Sequence, residues 1–270
     1  MKPALAVLVI CFLSCAQKSN CFKDNEAFLT LRNQTILQKE KEKGMTNPQK
    51  LEAAKALLIE KIVLEEQQDY KEAISGWITK AQIGKLLKYV RVGNQVTVTY
   101  SNDIDPEQDL LILETPDLVM DIIAGPNAAF AFAPGTASGN KKHIFARASI
   151  VKSELVETIM RGIYHEYVHV YQHTFHYSAY FQKEAGEAGV VKNFLQNNLK
   201  MKREVEASQK TATLFMSIHP ECLACAEDVD CDVDIEKQMK NLTQDSGDKE
   251  IARNILEYAC ATKWVQKYVM

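Results

Sequence analysis

Residues 164–173 read YHEYVHVYQH, and the geometry assigned to this stretch decides the fold. Leu155, Ile159, Ile163 and Val170 recur at helical spacing around it. The stretch is therefore expected to be one helix with its apolar stripe turned to a core. His165 and His169 fall on another side of that helix, together with Thr158 and Gly162. Residues four apart stack one turn above the other, with side-chain bases about 5–6 Å apart. Two imidazole nitrogens so placed suit a single tetrahedral metal ion. Glu166, directly after the first histidine, can reach the fourth coordination position and take a proton from water there. The bland alternative is a half-buried helix that carries two surface histidines and a glutamate. Its upstream flank favours the first reading, because Ser153 can cap a helix whose first turn holds Glu154 and Glu157, where the helix dipole favours acids.

Working outward, the period changes along the chain. Asn47-Pro48 gives a helix start, with a capping side chain followed by proline at the first helical position. Leu51, Ala54, Leu58 and Ile62 continue it at helical spacing, and the pattern runs past Trp77, with a break expected near Ser75-Gly76. KYVRV and QVTVTY alternate in twos around Gly93-Asn94, a two-residue link of the hairpin kind. LLIL at 110–113 and AFAFA at 129–133 are further short strands. HIFARASIV at 143–151 reads as a strand with Ile144, Ala146, Ala148 and Ile150 on one face, forming the edge beside the motif helix. Helical sequence returns from Val191 through Met216, and a last helix is expected from Lys249. The fold class is α+β: a small mixed sheet with helical portions before and after it.

The chain has 270 residues, of which 46% are hydrophobic, with a formal net charge of −3. That is enough for one large domain. Without a basic block there is no electrostatic case for nucleic acid. The N-terminus, MKPALAVLVICFLSC, has one lysine and then an apolar run from Ala4 to Leu13, too short to span a bilayer and suited to a secretory signal. FLSC, ending at Cys15, resembles the lipobox of bacterial lipoproteins, in which the cysteine receives the lipid. Cleavage after Ala16 to give a secreted protein is the alternative. The expected organisation is a signal over 1–15, a polar tether over 16–46 and a single domain over 47–270. In an oxidising compartment Cys222, Cys225, Cys231 and Cys260 read as two disulfides of undetermined pairing, with Cys21 left over.

The segment His165-Glu166-Tyr167-Val168-His169, with a strand before it and helical sequence after it, resembles the zincin metallopeptidases. The resemblance implies a bound Zn²⁺, an extended protein or peptide substrate laid along the upstream strand, and peptide-bond hydrolysis. The metzincin extension would need glycine at 172 and histidine at 175. This chain has Gln172 and Phe175, and His173 and His176 miss that spacing. The other large subgroup takes a glutamate from a later helix as third ligand. Glu184 and Glu187 in KEAGEAG and Glu204 and Glu206 in KREVEAS are the candidates. Residues 203–208 resemble the E-x-x-A segment of that subgroup, although Ser208 stands where an acidic or amide residue usually supports the site.

Glu204 and Glu206 are two apart, roughly 200° around a helix, so only one can face a metal. Glu204 shares its face with Lys200, Ser208 and Thr211, which leaves a supporting hydroxyl a turn away. Glu206 shares its face with Lys202 and Lys210, which reads as a solvent face with ion pairs. Ala207 is small enough for close helix approach. Glu204 is therefore the expected third ligand. Tyr164, Tyr167, Tyr171, Tyr177, Tyr180 and His219 are candidates to stabilise an oxyanion, and most of the tyrosines are expected to be packing. Asp228, Asp230, Asp232 and Asp234 lack the glycine and final glutamate of a calcium loop and read as a solvated acidic turn. Asn33 and Asn241 occupy N-x-T sequons. Together these expectations describe an exported, lipid-anchored zinc metallopeptidase of the cell envelope. The competing reading is a non-catalytic binding lipoprotein on the same scaffold.

Overall fold

The computed structural model describes residues 26–220 except 66, 94, 102–103, 106–107, 134–141 and 177–189. The signal with Cys15, the other cysteines, Glu184, Glu187, Tyr177, Tyr180, Asn241, the acidic run at 228–234 and the helix expected from Lys249 lie outside the described residues.

Helix α1 (Glu26–Glu42) occupies most of what reads in sequence as a polar tether. Helix α2 (Asn47–Lys61) is capped one residue earlier than expected, by Thr46, in a reciprocal capping box with Gln49. Asn47 is thereby freed to reach inward, donating to Glu114 Oε1 (3.1 Å) and the Ala148 carbonyl (3.0 Å). A 3₁₀ turn at Ile62–Leu64 precedes α3 (Gln68–Lys80). The helical break thus falls before α3, and Ser75-Gly76 lie inside it. Glycine in a helix costs roughly 0.5–1 kcal/mol. Burial of Tyr70, Ile74 and Ile78 on the core face of α3 outweighs that cost, at about 1.5–3 kcal/mol for each large apolar side chain.

Five strands form a mixed sheet in the order β2-β1-β3-β5-β4. Strands β1 (Gln82–Val92) and β2 (Gln95–Tyr100) pair antiparallel, with Val92 opposite Gln95. Gly93 adopts φ +59 at the link, a left-handed conformation open to glycine at little cost. Strand β3 (Leu110–Thr115) lies between β1 and β5 (Lys142–Arg147), parallel to both. Its LLIL run is apolar throughout because both sheet faces are covered. Leu110 and Ile112 face the larger core, whereas Leu111 and Leu113 face a smaller one that includes Met120 of α4 (Asp117–Ala124). The larger core also holds Leu51 and Leu58 of α2, Ile74 and Ile78 of α3, and the apolar stripe of the motif helix.

Strand β4 (Phe130–Ala133) pairs antiparallel with β5 and is the edge strand on that side. The strand read from the sequence as 143–151 stops at Arg147, and Ala148–Ser153 is a short helix, α5. The chain turns there because Arg147 is pinned by the carbonyls of Ala128 (2.7 Å) and Gly125 (2.9 Å) and by Asp121 (2.8 Å), while Ser149 N–H donates to Asp117 Oδ1 (3.1 Å). The expected edge strand is thus an inner one, and β4 takes the edge.

The motif helix α6 runs Val156–Phe175. Ser153 and Glu154 do not start it, since Ser153 belongs to α5 and its hydroxyl donates to the Ile150 carbonyl at 3.3 Å. Instead Glu42, at the end of α1 and only 5% exposed, accepts from Val156 N–H at 2.9 Å. This is a capping carboxylate supplied from 114 residues away, favoured by the helix dipole. Helix α7 (Val190–Ile218) packs against α6, with Ala207 fully buried between them and the core. No helix among the described residues is long and apolar enough to cross a membrane.

Candidate metal centre

Helix α6 is apolar around most of its girth: Ile159, Ile163, Tyr164, Tyr167 and Val168 are wholly buried. Among its polar residues are His165, Glu166 and His169. His169 Nε2 lies 3.1 Å from His165 Nε2, an approach that stacking at i and i+4 allows. Helix α7 brings Glu204 Oε2 to 3.2 Å from His169 Nε2 and 3.7 Å from His165 Nε2. These separations bracket the roughly 3.3–3.4 Å expected between ligand atoms of a tetrahedral site with bonds of about 2.0–2.1 Å. Two imidazoles and one carboxylate make three protein donors among the described residues, the number that a catalytic zinc site takes from its protein. Among the described residues this trio is the grouping of histidine, cysteine and carboxylate side chains able to hold a metal ion.

Glu204 brings the negative charge that a cation needs. Burial alone would raise the Glu204 pKa, but hydrogen bonds to His165 and His169 outweigh it and hold the carboxyl well below its ordinary range. For His169, burial pulls the pKa down, and its hydrogen bond to Glu204 and the charge of Glu166 more than reverse this. Glu166 is 9% exposed. Its pKa is raised, chiefly by burial, against the pull of both histidines and a hydrogen bond from the backbone N–H of Phe132.

That last contact ties the edge strand to the motif. Phe130 and Phe132 lie opposite Ala146 and Ile144, while the neighbouring Ala129 carbonyl accepts from Arg147 N–H. By antiparallel alternation, the backbone groups of Phe130 and Phe132 point away from β5. The close approach depends on Gly162, one turn before Glu166, because a Cβ there would meet the Phe130 ring. Glycine at 162 therefore reads as clearance for β4, in addition to its place on the histidine face.

Of the remaining candidates, Glu206 is not on a solvent face. It is half-buried and accepts from Tyr70 OH (3.0 Å) and Gln172 Nε2 (3.2 Å), whereas Lys210 pairs with the buried Glu65 at 2.9 Å. His173 sits edge-on to the Phe132 ring, and His176 lies against Tyr171. Tyr164 OH donates to Glu65 (2.8 Å), and Tyr171 stacks on Tyr70 (centroids 3.9 Å apart). The Tyr167 hydroxyl is buried without a partner among the described residues. His219 is bonded to Glu157 at 3.0 Å, and Glu157 lies eight residues, about 12 Å of helix, before His165. Tyr164 and His219 are thus committed elsewhere. Gln172, whose Oε1 is 2.9 Å from His169 Nδ1, supports the site where Ser208 was expected to. No single-sequence signal marks it.

Comparison with protein-family models, curated proteins and solved structures yields no match to this chain.

Proposed function

We propose that the chain is a zinc-dependent metallopeptidase of zincin type, with His165, His169 and Glu204 as metal ligands and Glu166 as general base. The observation that carries the reading is the convergence of two helices on three donor atoms, 3.1–3.7 Å apart, beside a buried carboxylate. When bound, zinc supplies a Lewis acid that polarises the scissile carbonyl and makes water a better nucleophile. Glu166 accepts the water's proton and delivers it to the leaving nitrogen. Its raised pKa brings that exchange closer to neutrality, and Phe132 N–H fixes its orientation. The outer edge of β4, unpaired with another strand among the described residues, offers backbone groups other than Phe132 N–H to an extended peptide, which would add as a strand. Packing of α6 and β4 around Glu166 limits access of bulk water.

The apolar run from Ala4 to Leu13 and the FLSC segment support the further reading of an exported protein held to a membrane by a lipid on Cys15 and acting on protein or peptide substrates. The deciding experiment is zinc content of the purified protein together with peptide-library cleavage before and after chelation. One zinc per chain, with cleavage lost on chelation and restored by zinc, is the expected result. Zinc-free protein, or cleavage indifferent to chelation, refutes the mechanism.

A further inference from the structure

A chain of polar groups behind His169 links three helices. Gln172 is wholly buried. Its Nε2 donates to the Arg203 carbonyl (3.2 Å) and to Glu206 Oε2 (3.2 Å), and its Oε1 lies 2.9 Å from His169 Nδ1. Glu206 Oε1 in turn accepts from Tyr70 OH on α3 at 3.0 Å. A carbonyl and a carboxylate can only accept hydrogen bonds. The amide nitrogen of Gln172 must therefore face α7, and its oxygen must face the imidazole. An amide oxygen cannot donate, so Nδ1 of His169 carries the hydrogen. Nε2 is then the atom turned toward His165 and Glu204; without metal it donates to the Glu204 carboxylate (3.2 Å), and a metal would take the place of that proton.

Resting on the metallopeptidase reading, we propose that Glu206 is a positioning residue: acting through Gln172, it fixes the ring orientation and tautomer in which His169 binds metal through Nε2. The helix that delivers the third ligand thereby also sets the second one. Two glutamates that look like rivals for one role do complementary work. Glu204 turns toward the histidine nitrogens, and Glu206 holds the amide that locks one of them. Tyr70 anchors Glu206 from the opposite side, so α3 contributes to the site without touching it.

The test compares wild type with Glu206→Ala, Glu206→Gln and Gln172→Leu. Zinc affinity is measured by competition with a chelating dye, and the His169 Nδ1–H resonance is followed by NMR in the metal-free protein. Glu206→Ala should weaken zinc by about 10–100-fold, the usual cost of removing an outer partner of a ligand, and the protected Nδ1–H signal should disappear. Glu206→Gln keeps an oxygen that accepts from Gln172, so it should rescue both readouts. Gln172→Leu, which also loses the Arg203 contact, should be at least as damaging as Glu206→Ala, and the double variant should be no worse than Gln172→Leu alone. Should Glu206→Ala fail to fold, Gln172→Leu against Glu206→Gln carries the same comparison. A protected Nδ1–H in Glu206→Ala, or a Glu206→Gln as damaging as the alanine, overturns the proposal. The NMR measurement needs no metal, so wild type that shows the protected signal but binds no zinc refutes the metallopeptidase reading and leaves the role of Glu206 in orienting the ring intact.

Discussion

Gly162→Ala should loosen the contact between the edge strand and the motif helix, and its size can be worked out beforehand. A Cβ at 162 would lie 2.8 Å from Phe130 Cζ and closer still to two other ring atoms. Carbon contacts are optimal at about 3.5–4.0 Å, so the ring must retreat by roughly 1 Å or more. Phe130 is paired to β5 opposite Ala146, and a retreat of its backbone carries Phe132 with it. Overpacking of this kind costs about 1–3 kcal/mol, and alanine recovers about 1 kcal/mol of helix propensity. The net loss of stability is therefore about 0–2 kcal/mol. Activity should fall further, because the hydrogen bond from Phe132 N–H to Glu166 is stretched; such bonds to charged groups are worth about 1.5–3 kcal/mol, roughly a 10–150-fold change. The sign of the pH effect also follows. That bond lowers the Glu166 pKa, so weakening it raises the pKa and moves the acid limb of the pH–rate profile upward. Thermal unfolding and kcat/KM against pH on a fluorogenic peptide measure both, and Phe130→Val in the same chain should restore much of each. A variant about 1 kcal/mol more stable than wild type, with an unshifted profile, would refute the packing argument.

Three other outcomes are expected. Glu166→Gln should keep zinc and fold while turnover drops about 10²–10⁴-fold, measured by metal analysis and peptide cleavage; unchanged cleavage would remove the general base. Burial opposes the ionisation of Glu157, but its hydrogen bond to His219 wins and lowers its pKa; its stabilising effect is therefore full above the ordinary carboxylate range and lost as pH falls through the lowered value. Glu157→Gln should accordingly unfold at lower urea than wild type at pH 7, with the two converging in acid. Expressed in a bacterium, the full chain should partition with membranes and incorporate labelled lipid at Cys15, and Cys15→Ser should abolish the label; a mature N-terminus at Gln17 would show ordinary secretion instead.

What was legible in the sequence is what short-range periodicity encodes. The hairpin at Gly93-Asn94, the buried run of β3, the stripe of α6 and the long helix carrying Glu204 all announce themselves within a dozen residues. The boundaries that moved were moved by partners distant in sequence. Arg147 ends β5 because the carbonyls of Ala128 and Gly125 and the Asp121 carboxylate converge on it. Ser153 is a good cap by type, yet the free amide at the start of α6 is taken by Glu42. Glu26–Glu42 is polar enough to read as a tether, and nothing local marks its last residue as a buried cap. HIFARASIV and AFAFA both look like strands, and alternation alone does not tell an inner strand from an edge.

Glu206 departs from its expected solvent face for a reason that helical angle does not contain. Helical angle correctly separates it from Glu204, and only Glu204 meets the histidines. The error lay in treating the side away from the metal as solvent. Helix α7 has more than two surroundings, because α6 lies along one flank and the turn around Glu65 and Tyr70 along another. Lys202 and Lys210 suggested an exposed ion-pair ladder, but Lys210 turns to the buried Glu65 and lies over the Tyr70 ring at 4.6 Å. A buried carboxylate such as Glu65 persists only with partners, and Tyr164 and Lys210 supply them. The second glutamate accepts from Tyr70 and Gln172. Charge spacing on one helix describes that helix in water, and once three helices meet, the partner is chosen by whichever buried group would otherwise stay unpaired.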